Sequence, residues 1–115
     1  MFNYRKVDES TLEFVTVARK DELADGGRLL LNIGDLAIAV FQVAGNYYAI
    51  ADVCTHDDGP LAEGDLNGAT IECPRHGARF DLATGKATRL PAVVDIAAYP
   101  VRLAADEIQV GLPAD

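Results

Sequence analysis

The chain has 115 residues, half of them hydrophobic and 24% charged, which suits one packed domain and rules out a disordered composition. Its 18 acidic residues against 10 basic ones give a net charge of −8, so neither nucleic acid nor an anionic membrane surface is an expected partner. The longest nearly apolar run, Leu36 to Ala44, is broken by Gln42 and falls far short of the roughly 20 residues that a spanning helix needs. The first residues, Met1-Phe2-Asn3-Tyr4-Arg5-Lys6, carry charge with no apolar stretch behind it, so no signal peptide is expected and the cytoplasm is the expected compartment.

In chain order, the first predicted strand is Phe14 to Ala18. Asp21-Glu22-Leu23 offers one short helical turn. Arg28 to Ile33 is a second strand, and Gly34-Asp35 a tight turn. Leu36 to Ala44 is apolar on both faces, as a strand in the middle of a β structure would be. Gly45-Asn46 is the next hairpin signal, followed by a strand from Tyr47 to Ala51. Near the end, Ala97 to Leu103 reads as a strand in which Pro100 demands an edge or a bulge. Glu107 to Leu112 alternates, with Ile108, Val110 and Leu112 on one face. Many short strands and weak helix signals predict an all-β fold, an antiparallel sandwich or barrel.

Between Val53 and Arg89 the character changes. Gly59, Pro60, Gly64, Gly68, Pro74, Gly77 and Gly85 mark loops, with one short strand, Ala69 to Cys73, among them. The same stretch holds every cysteine and histidine of the chain. They form two pairs, Cys54-Thr55-His56 and Cys73-Pro74-Arg75-His76, separated by the residues from 57 to 72. Each pair offers a thiolate and an imidazole at short spacing, which is the donor chemistry of zinc and of iron–sulfur clusters rather than of calcium or magnesium. On the residues alone three readings stand: core thiols or a disulfide beside unrelated histidines, a Cys₂His₂ zinc module for protein interaction, or an iron–sulfur centre. The single residue between Cys54 and His56 is tight for a tetrahedral zinc site, which prefers two to four.

The two loops, from Cys54 through His56, Gly59, Leu61 and Gly64, and from Cys73 through His76, Gly77 and Phe80, resemble the cluster loops of Rieske-type [2Fe–2S] ferredoxins. Leu82 to Lys86 and Leu90-Pro91-Ala92 share the likeness, which spans about Phe14 to Leu112. The resemblance implies a single Rieske domain over 1–115, with a β sandwich or barrel base, a small two-loop cluster-binding subdomain at about 52–89 and an N-terminal extension over 1–12. It implies that Cys54 and Cys73 ligate one iron of a single cluster and His56 and His76 the other. It places Leu61 over the cluster and Pro91 in a loop across it, with Gly59 and Gly77 letting backbone amides approach the sulfurs. Imidazole in place of two thiolates leaves the oxidised centre nearly neutral and raises its potential above that of all-cysteine clusters.

Departures from respiratory-chain Rieske proteins narrow the expectation. There is no membrane helix and no further cysteine pair, and Gly77-Ala78 supplies no hydroxyl to a sulfide, so a potential low in the Rieske range is expected. A Rieske oxygenase needs a mononuclear iron held by two histidines and a carboxylate, and no histidine remains. The expected role is therefore an electron carrier with no small-molecule substrate and no catalysis of its own. It would take electrons from a flavin-dependent reductase and pass them to a terminal oxygenase. A Rieske-like small subunit of a larger reductase, of the nitrite reductase kind, is the other family reading. Asp52, Asp57, Asp58, Glu63 and Asp65 near the first loop, against Arg75, Arg79, Lys86 and Arg89 near the second, suggest a dipolar docking face.

Overall fold

The computed structural model describes residues 12–53, 61–74, 77–90 and 94–113. Among them, eleven strands form three antiparallel sheets, and the all-β expectation holds. The first sheet joins β1 (Leu12–Arg19), β11 (Glu107–Pro113) and β10 (Val101–Ala104), in that order. The second joins β2 (Arg28–Ile33), β3 (Leu36–Val43), β4 (Asn46–Ala51) and β9 (Ala98–Tyr99). The third joins β5 (Asp65–Asn67), β6 (Thr70–Glu72), β7 (Arg79–Asp81) and β8 (Ala87–Arg89). The helical turn expected at Asp21 is a single 3₁₀ turn, Lys20–Glu22.

The second sheet is a wall between two cores. Period-two alternation along β3 sends Ile38 and Val40 to one face and Ala39 and Phe41 to the other, all four fully buried. Along β4, Ala49 and Ala51 join the first face and Ile50 the second. On the first face lie Ile108, Val110 and Leu112 of β11 with Tyr99 and Val53. On the second lie Ile71, Phe80 and Leu82 of the third sheet region, with Leu61, Cys73 and Ala78. Burying one such side chain as large as Phe41 or Phe80 contributes roughly 1.5–3 kcal/mol. The apolar run that the sequence placed at the centre of the fold is at the centre of it.

Three local expectations change. The second hairpin turns on Ala44-Gly45, not Gly45-Asn46: both residues hold positive φ, 51° and 84°, and Val43 pairs with Asn46 across them. That two-residue geometry matches the twist of the flanking strands. The predicted strand 97–103 is two strands. Pro100 has no N–H to continue a ladder, so β9 pairs with β4 while β10 pairs with β11, and the chain changes sheet at the proline. The third sheet replaces a stretch read as loops around one strand. The expected strand is there as β6, but three-residue strands between turns carry no periodicity to read.

Candidate metal centre

The second ligand pair sits on the β6–β7 hairpin. Ile71 pairs with Phe80 and Glu72 with Arg79, which brings the following Cys73 and Ala78 face to face. The Cys73 N–H donates to the Ala78 carbonyl at 2.7 Å, and the Gly77 N–H donates back to the Cys73 carbonyl at 3.1 Å. These bonds tie Cys73 directly to Gly77 and Ala78. Gly77 occupies φ 76°, a left-handed conformation that side-chain-bearing residues rarely take, so its first requirement is backbone geometry. Cys73 is 1% exposed and forms no disulfide.

The first loop leaves β4 at Ala51. Asp52 donates its N–H to the Ala37 carbonyl at 2.9 Å. Its Oδ1 accepts from the N–H of Leu61 at 2.8 Å and of Ala62 at 2.7 Å, so both ends of the segment meet at one carboxylate. The chain then turns at Gly64, whose N–H donates to the Leu61 carbonyl at 3.0 Å. A side chain at Gly64 would occupy the place of the Glu72 carbonyl, so the first loop's exit lies against the strand that leads to Cys73. Arg28 of β2 donates from Nη1 to the carbonyls of Ala62 at 2.6 Å and Gly64 at 2.7 Å, with its guanidinium 5.7 Å from the Phe41 ring centre.

Both stems enter one apolar core. Leu61 and Ala62 from the first loop and Cys73 and Ala78 from the second pack in the same cluster, with Phe41, Ile50, Ile71 and Phe80. Leu61 is fully buried within this core. Cys54, His56, Gly59, His76 and Pro91 lie outside the described residues, as do Asp57, Asp58 and Arg75. Leu90 and Val94, at the two ends of the Pro91 segment, are exposed at 72% and 42%.

Among the described residues, two of the charges that the sequence sets at the docking face already have partners. Asp52 is spent on backbone amides. Arg79 Nε bonds Glu72 Oε1 at 2.8 Å across the hairpin, so it is not a free cation. Glu63, Asp65, Lys86 and Arg89 are exposed, with Asp65 on β5 and Arg89 on β8, the two edge strands of the third sheet. Sequence reasoning missed Asp52 and Arg28 as structural parts of the site. An aspartate at the mouth of a turn-rich loop was the available signal for the first; the second, at the start of a strand, carried none.

The described residues fit an iron–sulfur centre. A thiol excluded from water, free of a disulfide and held by backbone bonds to Gly77 and Ala78 can give a soft sulfur donor, and a metal offsets the cost of burying its charge. The chain matches the model of the Rieske [2Fe-2S] domain over residues 13–100. It is 37% identical over 93 residues to the ferredoxin component of the naphthalene 1,2-dioxygenase/salicylate 5-hydroxylase systems of Ralstonia sp, covering 81% of this chain and 89% of the relative. It is 47% identical over 77 residues to the 3-phenylpropionate/cinnamic acid dioxygenase ferredoxin subunit of Escherichia coli strain K12, covering 66% and 73% respectively. Its fold aligns with a chain of the solved complex of reduced oxygenase and oxidized ferredoxin in carbazole 1,9a-dioxygenase, with a TM-score of 0.82 and 31% identity over 89% of this chain and 95% of that one. A family match across most of the chain, relatives of the same size and a buried thiol on the matching loop agree: the chain belongs to the Rieske [2Fe-2S] domain family, as a ferredoxin with one such cluster.

Proposed function

We propose that Cys54, His56, Cys73 and His76 hold the cluster, and that the protein takes single electrons from a flavin-dependent reductase and delivers them to a terminal oxygenase. The observation that carries this reading is the common core of the two loop stems. Leu61 and Cys73 lie in one apolar cluster, so residues flanking both ligand pairs meet around one point. The solved complex of a similar ferredoxin chain with its oxygenase supports the oxygenase as partner. The reductase follows from the need for an electron source, and the proposed setting is the cytoplasm, where thiols stay reduced.

Bound at these residues, the cluster supplies a one-electron couple. The chain's own residues do the rest. Cys73 presents sulfur from a backbone fixed by its own N–H and carbonyl, which bond Ala78 and Gly77. Leu61 and Ala78 keep water from the sulfur side. Asp52 and Arg28 hold the first loop's exit in place. We assign 52–89 as the cluster-binding unit, with Gly59 and Pro91 lying close to the cluster as the family resemblance implies. Exposed Glu63 and Asp65, together with Lys86 and Arg89, form a reduced version of the dipolar docking face.

Iron and acid-labile sulfide analysis of anaerobically purified protein, with EPR of the reduced form, tests the centre. Two irons and two sulfides per chain with a Rieske-type signal are expected. A colourless protein carrying zinc would refute the assignment. Cys73→Ser and His76→Ala should each lose or alter the signal. Stopped-flow reduction by a reductase and reoxidation by an oxygenase test the route.

A further inference from the structure

Asp52 stands two residues before Cys54 and is tied in two directions. Its N–H donates to Ala37 of β3 at 2.9 Å, which fixes it to the middle sheet. Its Oδ1 receives the N–H groups of Leu61 at 2.8 Å and Ala62 at 2.7 Å, nine and ten residues further on. Two successive amides aimed at one point form a concave donor pair that a single acceptor oxygen satisfies. The carboxylate thus ties together the described residues on either side of the segment that contains Cys54 and His56. Val53 and Leu61, which flank that segment, are both buried, so this tie cannot drift along the surface.

We propose that Asp52 is a positioning residue for the cluster: its Oδ1 fixes the width of the first ligand loop and so the placement of Cys54 and His56 relative to Cys73. The proposal rests on the reading that these residues ligate the cluster. What it requires of Asp52 is an acceptor oxygen at this reach, and the negative charge is secondary. Asparagine keeps the oxygen in place and loses the charge. Glutamate keeps the charge and moves the oxygen one carbon further out. Those two variants separate geometry from electrostatics without the larger disruption of alanine.

The experiment uses the full-length holoprotein and the variants Asp52→Asn, Asp52→Glu and Asp52→Ala. Two readouts are followed: the rate of chelator-driven bleaching of the oxidised protein, and the EPR g-values and linewidths of the reduced form. Wild type and Asp52→Asn should bleach at rates within about three-fold of each other, because the acceptor is retained. Asp52→Glu should bleach about 10–100-fold faster, the range found when groups supporting a metal ligand are lost. Its EPR lines should also broaden or shift, which a purely structural weakening elsewhere in the fold would not cause. Asp52→Ala, where it folds, should resemble Asp52→Glu. Wild-type behaviour of Asp52→Glu, or an Asp52→Asn as impaired as Asp52→Glu, would overturn the proposal. A wild-type protein lacking iron and labile sulfide would instead overturn the ligand reading beneath it.

Discussion

Arg28 Nη1 donates to the carbonyl oxygen of Gly64 at 2.7 Å, a bond that joins the first strand of the middle sheet to the chain leaving the first ligand loop. The same nitrogen reaches the Ala62 carbonyl at 2.6 Å, so one guanidinium serves two part-buried acceptors. Replacing it with methionine keeps much of the volume and strands both carbonyls. Arg28→Met should cost about 2–4 kcal/mol, the sum expected for losing charged hydrogen bonds to buried groups. A thermal melt of the holoprotein checks this, and a midpoint within a degree of wild type would contradict it. Arg28→Lys should recover only part of the loss, since an ammonium lacks the flat fork.

Gly64 and Glu72 meet backbone to backbone. A Cβ at Gly64 would overlap the Glu72 carbonyl, and neither partner is a flexible side-chain end. Gly64→Ala should therefore push β6 away from the first loop's exit, at a cost of about 3 kcal/mol or more. The expected result is a sharp drop in cluster-bearing protein, read as iron per chain after purification. Full iron occupancy with an unchanged melt would show that the contact relaxes easily.

Tyr99 is 4% exposed in the core between the first two sheets, and burial raises its phenol pKa above the usual 10. The folded protein therefore favours the neutral phenol. Its stabilising contribution is complete below about pH 10, where unfolded tyrosine is also neutral, and is lost as pH rises through the folded value. Denaturant unfolding of wild type at rising alkaline pH should show this decline. Tyr99→Phe should flatten it, and identical slopes for the two proteins would remove Tyr99 as a source.

Arg79 and Glu72 are both about one-third exposed and bonded to each other. A pair this exposed contributes less than about 1 kcal/mol, and its charges largely cancel at a distance. Removing both charges together in Glu72→Gln/Arg79→Gln should leave the low-salt rate of electron transfer to the oxygenase nearly unchanged. Charge reversal at exposed Lys86 or Arg89 should alter that rate and its dependence on ionic strength. Stopped-flow kinetics at two salt concentrations distinguish these cases. A larger effect from Glu72→Gln/Arg79→Gln than from either reversal would place the docking charge on the hairpin itself.

Among the described residues the Tyr99 phenol and the Cys73 thiol are the only buried side chains with a polar group, and Gly77 and Ala78 after Cys73 carry no hydroxyl. An added electron near this core would find few dipoles to stabilise it. The midpoint potential should fall in the lower half of the Rieske span of roughly −150 to +300 mV, below zero. Protein-film voltammetry measures it, and a clearly positive value would mean that other donors reach the sulfurs.

How much of this was readable beforehand follows from the range of the interactions. β2 and the Gly34-Asp35 turn fall where the pattern put them, because alternation and turn chemistry are local. Pro100 announced a break, but only the pairing of β9 with β4 and β10 with β11 shows that the break is a change of sheet. The ligand pairs stood out because cysteine and histidine occur nowhere else in the chain. Asp52 looked like surface charge, since its partners lie at Leu61 and Ala62 and nothing in sequence spacing reveals a bond across a loop. Arg28 is more remote still, with partners 34 and 36 residues away.

The two faces of β3 have a further consequence for how this protein can be taken apart. Ile38 and Val40 complete one core, Ala39 and Phe41 the other, so the floor beneath Cys73 is built from residues far outside 52–89. A fragment cut at those bounds would leave Ile71, Phe80 and Leu82 facing water. The smallest transplantable unit therefore includes the β2–β3–β4 sheet. Grafting the loops alone onto a foreign scaffold would carry over the donor atoms without the surface that shapes them. In the intact chain, heating should dissolve both cores together, and bleaching should coincide with loss of the strands rather than precede it.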